Sequence, residues 1–161
     1  MKIISFDPGF ERLGVAIIER INGGDTVIFS DCIQTNKDIS HQERLLSIGV
    51  EVENIFQTHK PHAASIEGLF FSNNQKTALL VSEVRGILIF LSKKSGCDVF
   101  EYTPNQIKVA VTGNGRATKK DIITMIPKLI KFDKKNALDD EYDAIACGIT
   151  CFACERFPQA K

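Results

Sequence analysis

Four acidic side chains stand where chemistry is easiest to build. Asp7 ends a run of β-branched and aromatic residues, Lys2-Ile3-Ile4-Ser5-Phe6, and Pro8-Gly9 follows it. It therefore reads as a carboxylate delivered by a buried strand to the edge of a sheet. Glu67 closes a second such run, Ala63-Ala64-Ser65-Ile66, just before Gly68. Asp140 and Asp143 are three residues apart in a segment of helical pattern, so they share a face, and Asp139 and Asp143 do so as well. Acids crowd helix N-termini for a plain reason, since the macrodipole favours each by about 0.3 to 1 kcal/mol. That accounts for Asp139, Asp140 and Glu141. It accounts poorly for Asp143, which lies beyond the first turn beside Ala144-Ile145-Ala146. Four converging carboxylates would repel one another and raise their own pKa values. Two Mg²⁺ ions, roughly 3.5 to 4 Å apart, would cancel that charge and bridge the attacking and leaving oxygens of a phosphoryl displacement. Metal-dependent phosphodiester hydrolysis is the chemistry expected of these residues.

The elements that must position them follow from the rest of the chain. Its 161 residues suit one domain, expected over 1–161, that buries roughly 70% of the extended chain's surface. Lys2 to Asp7, Leu13 to Glu19 and Thr26 to Thr35, with a hairpin turn at Asn22-Gly23-Gly24-Asp25, read as a three-stranded antiparallel meander. Apolar residues at helical spacing predict an amphipathic helix from His41 to Thr58, which Pro61 stops. Ala63 to Gly68 is a fourth strand and Cys97 to Tyr102 a fifth. Between them, Asn73 to Lys94 is apolar around more than half its circumference, so it is expected to be central or packed on two sides. Gly86 in its middle would admit another backbone, which fits a subunit interface. Thr103-Pro104 opens a helix broken at Thr112-Gly113-Asn114-Gly115. Thr118 to Ile130 is a further helix, Lys131 to Asn136 a basic loop, and Leu138 to Phe157 the last helix.

Whole-molecule charge says nothing about partners, because twenty basic residues offset twenty acidic ones. Local charge does. Between Asn105 and Ala137 stand Lys108, Arg116, Lys119, Lys120, Lys128, Lys131, Lys134 and Lys135 against only Asp121 and Asp133, a net of +6. Such a surface would contact phosphates and bind less tightly as salt rises; the plain alternative for any one lysine is a solvated helix face. Five unevenly spaced cysteines and the lack of a signal-peptide pattern predict a reducing cytoplasm. No apolar run approaches the 18 or so residues of a membrane span, so no membrane association is expected.

Phe6-Asp7-Pro8-Gly9, Ile66-Glu67-Gly68-Leu69-Phe70, Val84-Arg85-Gly86 and Asp140-x-x-Asp143-Ala144-Ile145-Ala146 resemble, in order and in separation, the motifs of the RuvC family of Holliday-junction resolvases. The likeness runs almost end to end. It implies an α/β ribonuclease H-like fold, in which three antiparallel N-terminal strands and two parallel ones form a five-stranded mixed sheet flanked by helices. It also implies a homodimer, dependence on Mg²⁺ with Mn²⁺ as substitute, paired symmetric nicks across four-way junction DNA that leave 5′-phosphate ends, and a branch-migration helicase complex as partner. Asp7, Glu67, Asp140 and Asp143 fall on the family's catalytic carboxylates. Asp139, one residue away, is an alternative to Asp140, which the D-x-x-D-A match favours. Lys108 and Lys119 fall where the family places basic residues beside the site, to orient the phosphate and to stabilise transition-state charge. The aromatic matching Phe70 lies at the junction centre in the family, where a ring stacks on an unpaired base at roughly 1 to 3 kcal/mol; adjacent Phe71 points the other way, and which ring faces the junction is open.

Two other signals are discounted. Cys147, Cys151 and Cys154 have a spacing known from iron-sulfur clusters, but on an apolar helix they read as small buried hydrophobes. His41, His59 and His62 match no ligand spacing. Three other functions compete: a nuclease acting on structured RNA, half of an actin-like nucleotide-binding fold, and a junction binder without catalysis. The actin-like fold needs two such domains, and a non-catalytic binder would not need all four acids.

Overall fold

The computed structural model describes residues 1–21, 24–68 and 75–157, with ten elements. The strands are β1 (Lys2–Asp7), β2 (Arg12–Ile21), β3 (Gly24–Gln34), β4 (Ala63–Glu67) and β5 (Asp98–Tyr102). The helices are α1 (His41–His59), α2 (Gln75–Lys94), α3 (Pro104–Thr112), α4 (Lys119–Leu129) and α5 (Asp139–Cys154). The sheet order is β3-β2-β1-β4-β5. β1, β2 and β3 pair antiparallel, while β4 joins β1 and β5 joins β4 in parallel. This is the mixed five-stranded sheet expected from the sequence, with β1 at its centre.

Strand parity divides the core in two. Ile4 and Phe6 of β1, Val15 and Ile17 of β2, and Ala64 and Ile66 of β4 pack under α1 and α2. Ile3, Ala16, Ile18 and Ala63 pack on the other face, under α3, α4 and α5. Alternate side chains face opposite ways, so one residue of slip in any central strand would send the wrong set to each layer. Gly148 of α5 lets that helix sit against β1 and β2, because a Cβ there would lie 2.6 Å from Ile18 Cδ1 and 2.8 Å from Ser5 Oγ.

Helix ends follow their cap signals. Ser40, Thr103 and Thr118 each accept a bond from the backbone three residues on, and Glu43, Gln106 and Asp121 reach back in turn. Pro104 opens α3, and Gly113, at φ 74°, ends it.

The structure departs from expectation at several points. α2 is packed on one side only: Val84, Arg85 and Leu88 are buried, whereas Leu79 and Phe90 are 68% and 64% exposed. Gly86 faces open space, with nothing within 4 Å of a Cβ there, so it admits no backbone of its own chain. α5 ends at Cys154, and Phe157 instead folds back edge-on against Phe100 and Phe152. Lys131 extends the sheet edge, donating its N–H to Asp25 O and accepting from Val27 N–H. Cys147 and Cys151 are buried free thiols, as expected, but Cys154 is exposed. The Asn22-Gly23 turn lies outside the described residues.

Candidate active site

Parity also aims the first two acids. Ile3 and Ser5 of β1 and Ala63 and Ser65 of β4 face α5, and two residues further along the same faces stand Asp7 and Glu67. Because Phe6 pairs with Ile66 in a parallel register, Asp7 and Glu67 come out side by side at the C-terminal ends of adjacent strands. In open α/β sheets that edge is where ligands bind.

α5 brings the second pair. Its first turn presses on β2 so closely that a Cβ on Gly14 would lie 2.0 Å from Asp140 O. One turn on, Asp143 joins Asp7, Glu67, Lys108 and Lys119 in the lining of a cleft of about 250 Å³, whose floor also includes Ile107 and Ile122. Asp140 stands beside this cleft rather than in its lining. Two cations hold the α5 acids: Lys119 Nζ lies 2.8 Å from Asp143 Oδ2 and 3.6 Å from Asp139 Oδ2, and the Arg12 guanidinium pairs with Asp140.

The electrostatics are those of gathered, partly desolvated acids. Burial pushes Asp7 up to about 8, helped by the charges of Glu67, Asp143 and Asp140. Burial and Asp143 push Glu67 up to about 7, although a hydrogen bond with Asp7 pulls the other way. Burial also raises Asp143, against the opposing pull of Lys119. Burial is the largest single influence on Lys119 and would lower it, but the bond to Asp143 and the charges of Asp143, Asp139 and Asp140 together raise it. The charge of Asp140 acts on Asp7, and the Asp139 side chain is 65% exposed.

The donor set is all carboxylate oxygen, which suits hard cations such as Mg²⁺ or Mn²⁺. The raised Asp7 and Glu67 are the groups whose excess charge a divalent cation would relieve. Among the described residues no three His, Cys, Asp or Glu side chains already converge as a cage, and Arg12 and Lys119 each hold one of the acids. In chemistry and in charge the residues fit a divalent cation.

Of the basic candidates, Lys108 and Lys119 line the cleft. Arg116 and Lys120 are exposed on either side of Thr118, the cap of α4. Lys134 is taken up elsewhere, 2.7 Å from Glu141 Oε2. Phe70 and Phe71 lie outside the described residues.

The sequence reading missed the supporting roles of three residues. Glu141, read there as a first-turn acid, is 2% exposed and accepts from Ser30 Oγ at 2.5 Å, Lys134 Nζ at 2.7 Å and Leu138 N–H at 2.9 Å. Burial alone would raise its pKa, but these donors hold it below the ordinary value. It anchors the start of α5 between the two candidate acids. Buried Arg85 of α2 donates to Glu67 O and, at 2.9 Å, to Glu101 Oε2, which ties down the end of β4. Arg12, at the start of β2, carried no expectation of a role. An acid at the third helical position and an arginine in an apolar helix were the visible signals for the first two; nothing local marks Arg12.

Comparison with known proteins places this arrangement in context. The family model described as crossover junction endodeoxyribonuclease RuvC matches residues 3–151. The RuvC protein of Petrotoga mobilis is 38% identical over 146 residues, 91% of this chain and 90% of that protein. That of Thermosipho melanesiensis is 36% identical over 155 residues, 96% of this chain and 98% of that one. Among solved structures, Thermus thermophilus RuvC in complex with a Holliday junction substrate superimposes with a TM-score of 0.88 at 23% identity, covering 95% and 93% of the two chains. The fowlpox virus resolvase bound to junction DNA reaches 0.58 at 18% identity, covering 92% and 96%. These two likenesses establish the fold.

Proposed function

Because this chain belongs to the RuvC family of crossover junction endodeoxyribonucleases, we propose that the acidic cleft at the ends of β1, β4 and α5 is where it cuts four-way DNA junctions. The protein is a junction-resolving endonuclease of recombination and repair that depends on a divalent metal. One observation carries the assignment to this site: Asp7, Glu67 and Asp143, from three separate elements, share one cleft with two lysines.

In this reading Asp7, Glu67, Asp140 and Asp143 hold two Mg²⁺ ions, and Mn²⁺ substitutes. When bound, the ions supply Lewis-acid stabilisation to the attacking and leaving oxygens of an in-line displacement. The chain's own groups do the positioning. Asp7 and Glu67 are fixed by the sheet and lose little freedom on binding. Lys108 orients the scissile phosphate from the cleft wall. Lys119 is positioned by Asp143 to stabilise charge as it develops on the phosphate. Arg116 and Lys120 take flanking phosphates, contacts that position the DNA without reading its sequence. The family resemblance makes Phe70 the candidate for stacking at the junction centre. The products carry a 5′-phosphate and a 3′-hydroxyl.

Paired symmetric nicks need two such sites. The open face of α1 and α2 supports a homodimer: Leu46, Val50, Leu79 and Phe90 are large, apolar and exposed, and Leu46, Val50 and Phe90 line a shallow apolar groove between the two helices. A branch-migration helicase complex is the further partner. No described helix is long and apolar enough to cross a membrane, and we assign the protein to the cytoplasm, where chromosomal junctions arise.

The test is cleavage of a mobile four-way junction with and without Mg²⁺, beside a linear duplex of the same sequence. Metal-dependent cutting confined to the junction is expected. Equal cutting of the duplex, or cutting in EDTA, would end this reading.

A further inference from the structure

Arg12 occupies an unusual position for an arginine. Its side chain is 46% exposed, yet its guanidinium pairs with Asp140, whose side chain is 21% exposed. The main chain around it, by contrast, is held at several points. A Cβ on Gly9 would lie 2.1 Å from Arg12 O, so the turn closes tightly on that carbonyl. Thr35 N–H donates to Glu11 O at 3.0 Å, and Thr35 Oγ1 donates to Phe10 O at 2.9 Å. Gly14, two residues on, packs against Asp140 O. The main chain is anchored while a long side chain pivots at the rim of the site.

Asp140 has a second partner, because the Cys32 thiol donates to its Oδ2 at 3.7 Å. It therefore keeps a partner if the guanidinium leaves. An ion pair this open to water is weak and exchanges readily, whereas a divalent cation bound to several carboxylates holds each of them more strongly. Arginine also differs from lysine in presenting a planar fork suited to phosphate as well as to carboxylate. Asp140 and a DNA phosphate are thus alternative partners for one side chain.

We propose that Arg12 is an exchangeable counterion of the site: it neutralises Asp140 in the free protein, yields it to the divalent cation, and then takes a phosphate of the bound DNA. This rests on the metal-dependent nuclease reading above. It makes metal and DNA binding mutually supportive, since each removes the competitor of the other. It also assigns a positioning role to a residue outside the four acids and two cleft lysines.

The experiment is calorimetric titration of the DNA-free protein with Mn²⁺, for wild type, Arg12→Gln, Arg12→Ala and Arg12→Lys. Loss of the competing charge should tighten Mn²⁺ binding roughly threefold to fivefold in the Gln and Ala variants, with Lys within about twofold of wild type. Junction binding is then followed by fluorescence anisotropy against salt. With Ca²⁺ as a stand-in ion, Arg12→Gln should reduce the salt slope by about one relative to wild type; in EDTA the two slopes should coincide. Mn²⁺ binding that is unchanged or weakened in both neutral variants overturns the exchange. So does a slope that changes equally in EDTA, or in neither condition. Wild-type protein that neither binds Mn²⁺ nor cuts junctions would sink the nuclease reading and this proposal together. A wild type that cuts junctions, with neutral variants that bind Mn²⁺ no tighter, sinks only the proposal.

Discussion

Asp7 is the side chain on which the proposed site most depends. It stands at the end of the central strand and feels Glu67, Asp143 and Asp140 at once. Asp7→Asn keeps the shape and the strand but removes a charged metal ligand. Cleavage of the junction should fall by about a hundredfold to a thousandfold, a loss on the scale of removing one essential preorganised group. Junction binding measured in Ca²⁺ should stay within a few fold, since the DNA is held mainly by basic groups. A mutant that cuts as fast as wild type would take Asp7 out of the mechanism. Glu141 stands one residue beyond Asp140 and plays a different part, because three donors surround it where a ligand would need open valence.

At the scale of elements, α5 matters most, since it carries two acids and packs across β1 and β2. The closest fit is at Gly14, where any side chain meets Asp140 O. Gly14→Ala must push the first turn of α5 outward, and overpacking of this kind costs about 1 to 3 kcal/mol. The expected result is a melting temperature several degrees lower, together with weaker Mn²⁺ binding, because the acids move with the helix. A variant as stable as wild type and with the same Mn²⁺ affinity would show that α5 is free to shift there. α2 supports the site from the opposite layer: its buried Arg85 holds the carbonyl of Glu67 while its outer face presents Leu79 and Phe90.

The whole molecule should show the charge of its site in its response to pH. Asp7 and Glu67 bind protons more tightly in the folded chain, at about 8 and about 7, than at their ordinary values of 3.8 and 4.5. Folding without metal therefore favours the protonated acids. The stability they contribute is fully present below about pH 4 and is lost as pH rises through about 7 to about 8. In EDTA the melting temperature should fall by several degrees between pH 6 and pH 9, and saturating Mg²⁺ should flatten that slope, because cations then do what protons did. A melting temperature that rises over this interval in EDTA would contradict the gathered site. The open face of α1 and α2 carries its own expectation: sedimentation at micromolar concentration should give a dimer, and a monomeric value would leave Leu46, Val50 and Phe90 without a partner.

Local patterns in the sequence were enough to determine the strands, the helices between them and the placing of Asp7 and Glu67 at strand ends; that the two acids stand side by side came from the parallel register of β1 and β4. The strands, the helices and the strand-end acids depend on neighbours within a few residues, so a short window contains their causes. The D-x-x-D spacing likewise placed Asp140 and Asp143 on one face of α5. What the tertiary structure alone decided are meetings across long stretches of chain: Arg12 with Asp140, Ser30 and Lys134 with Glu141, Arg85 with Glu67, and Lys119 with Asp143. It also decided that α2 packs on one side, that α5 stops at Cys154, and that Lys131 joins the edge of the sheet. Each of these depends on which surfaces the sheet order brings together, and no residue's type or spacing carries that before the chain has folded.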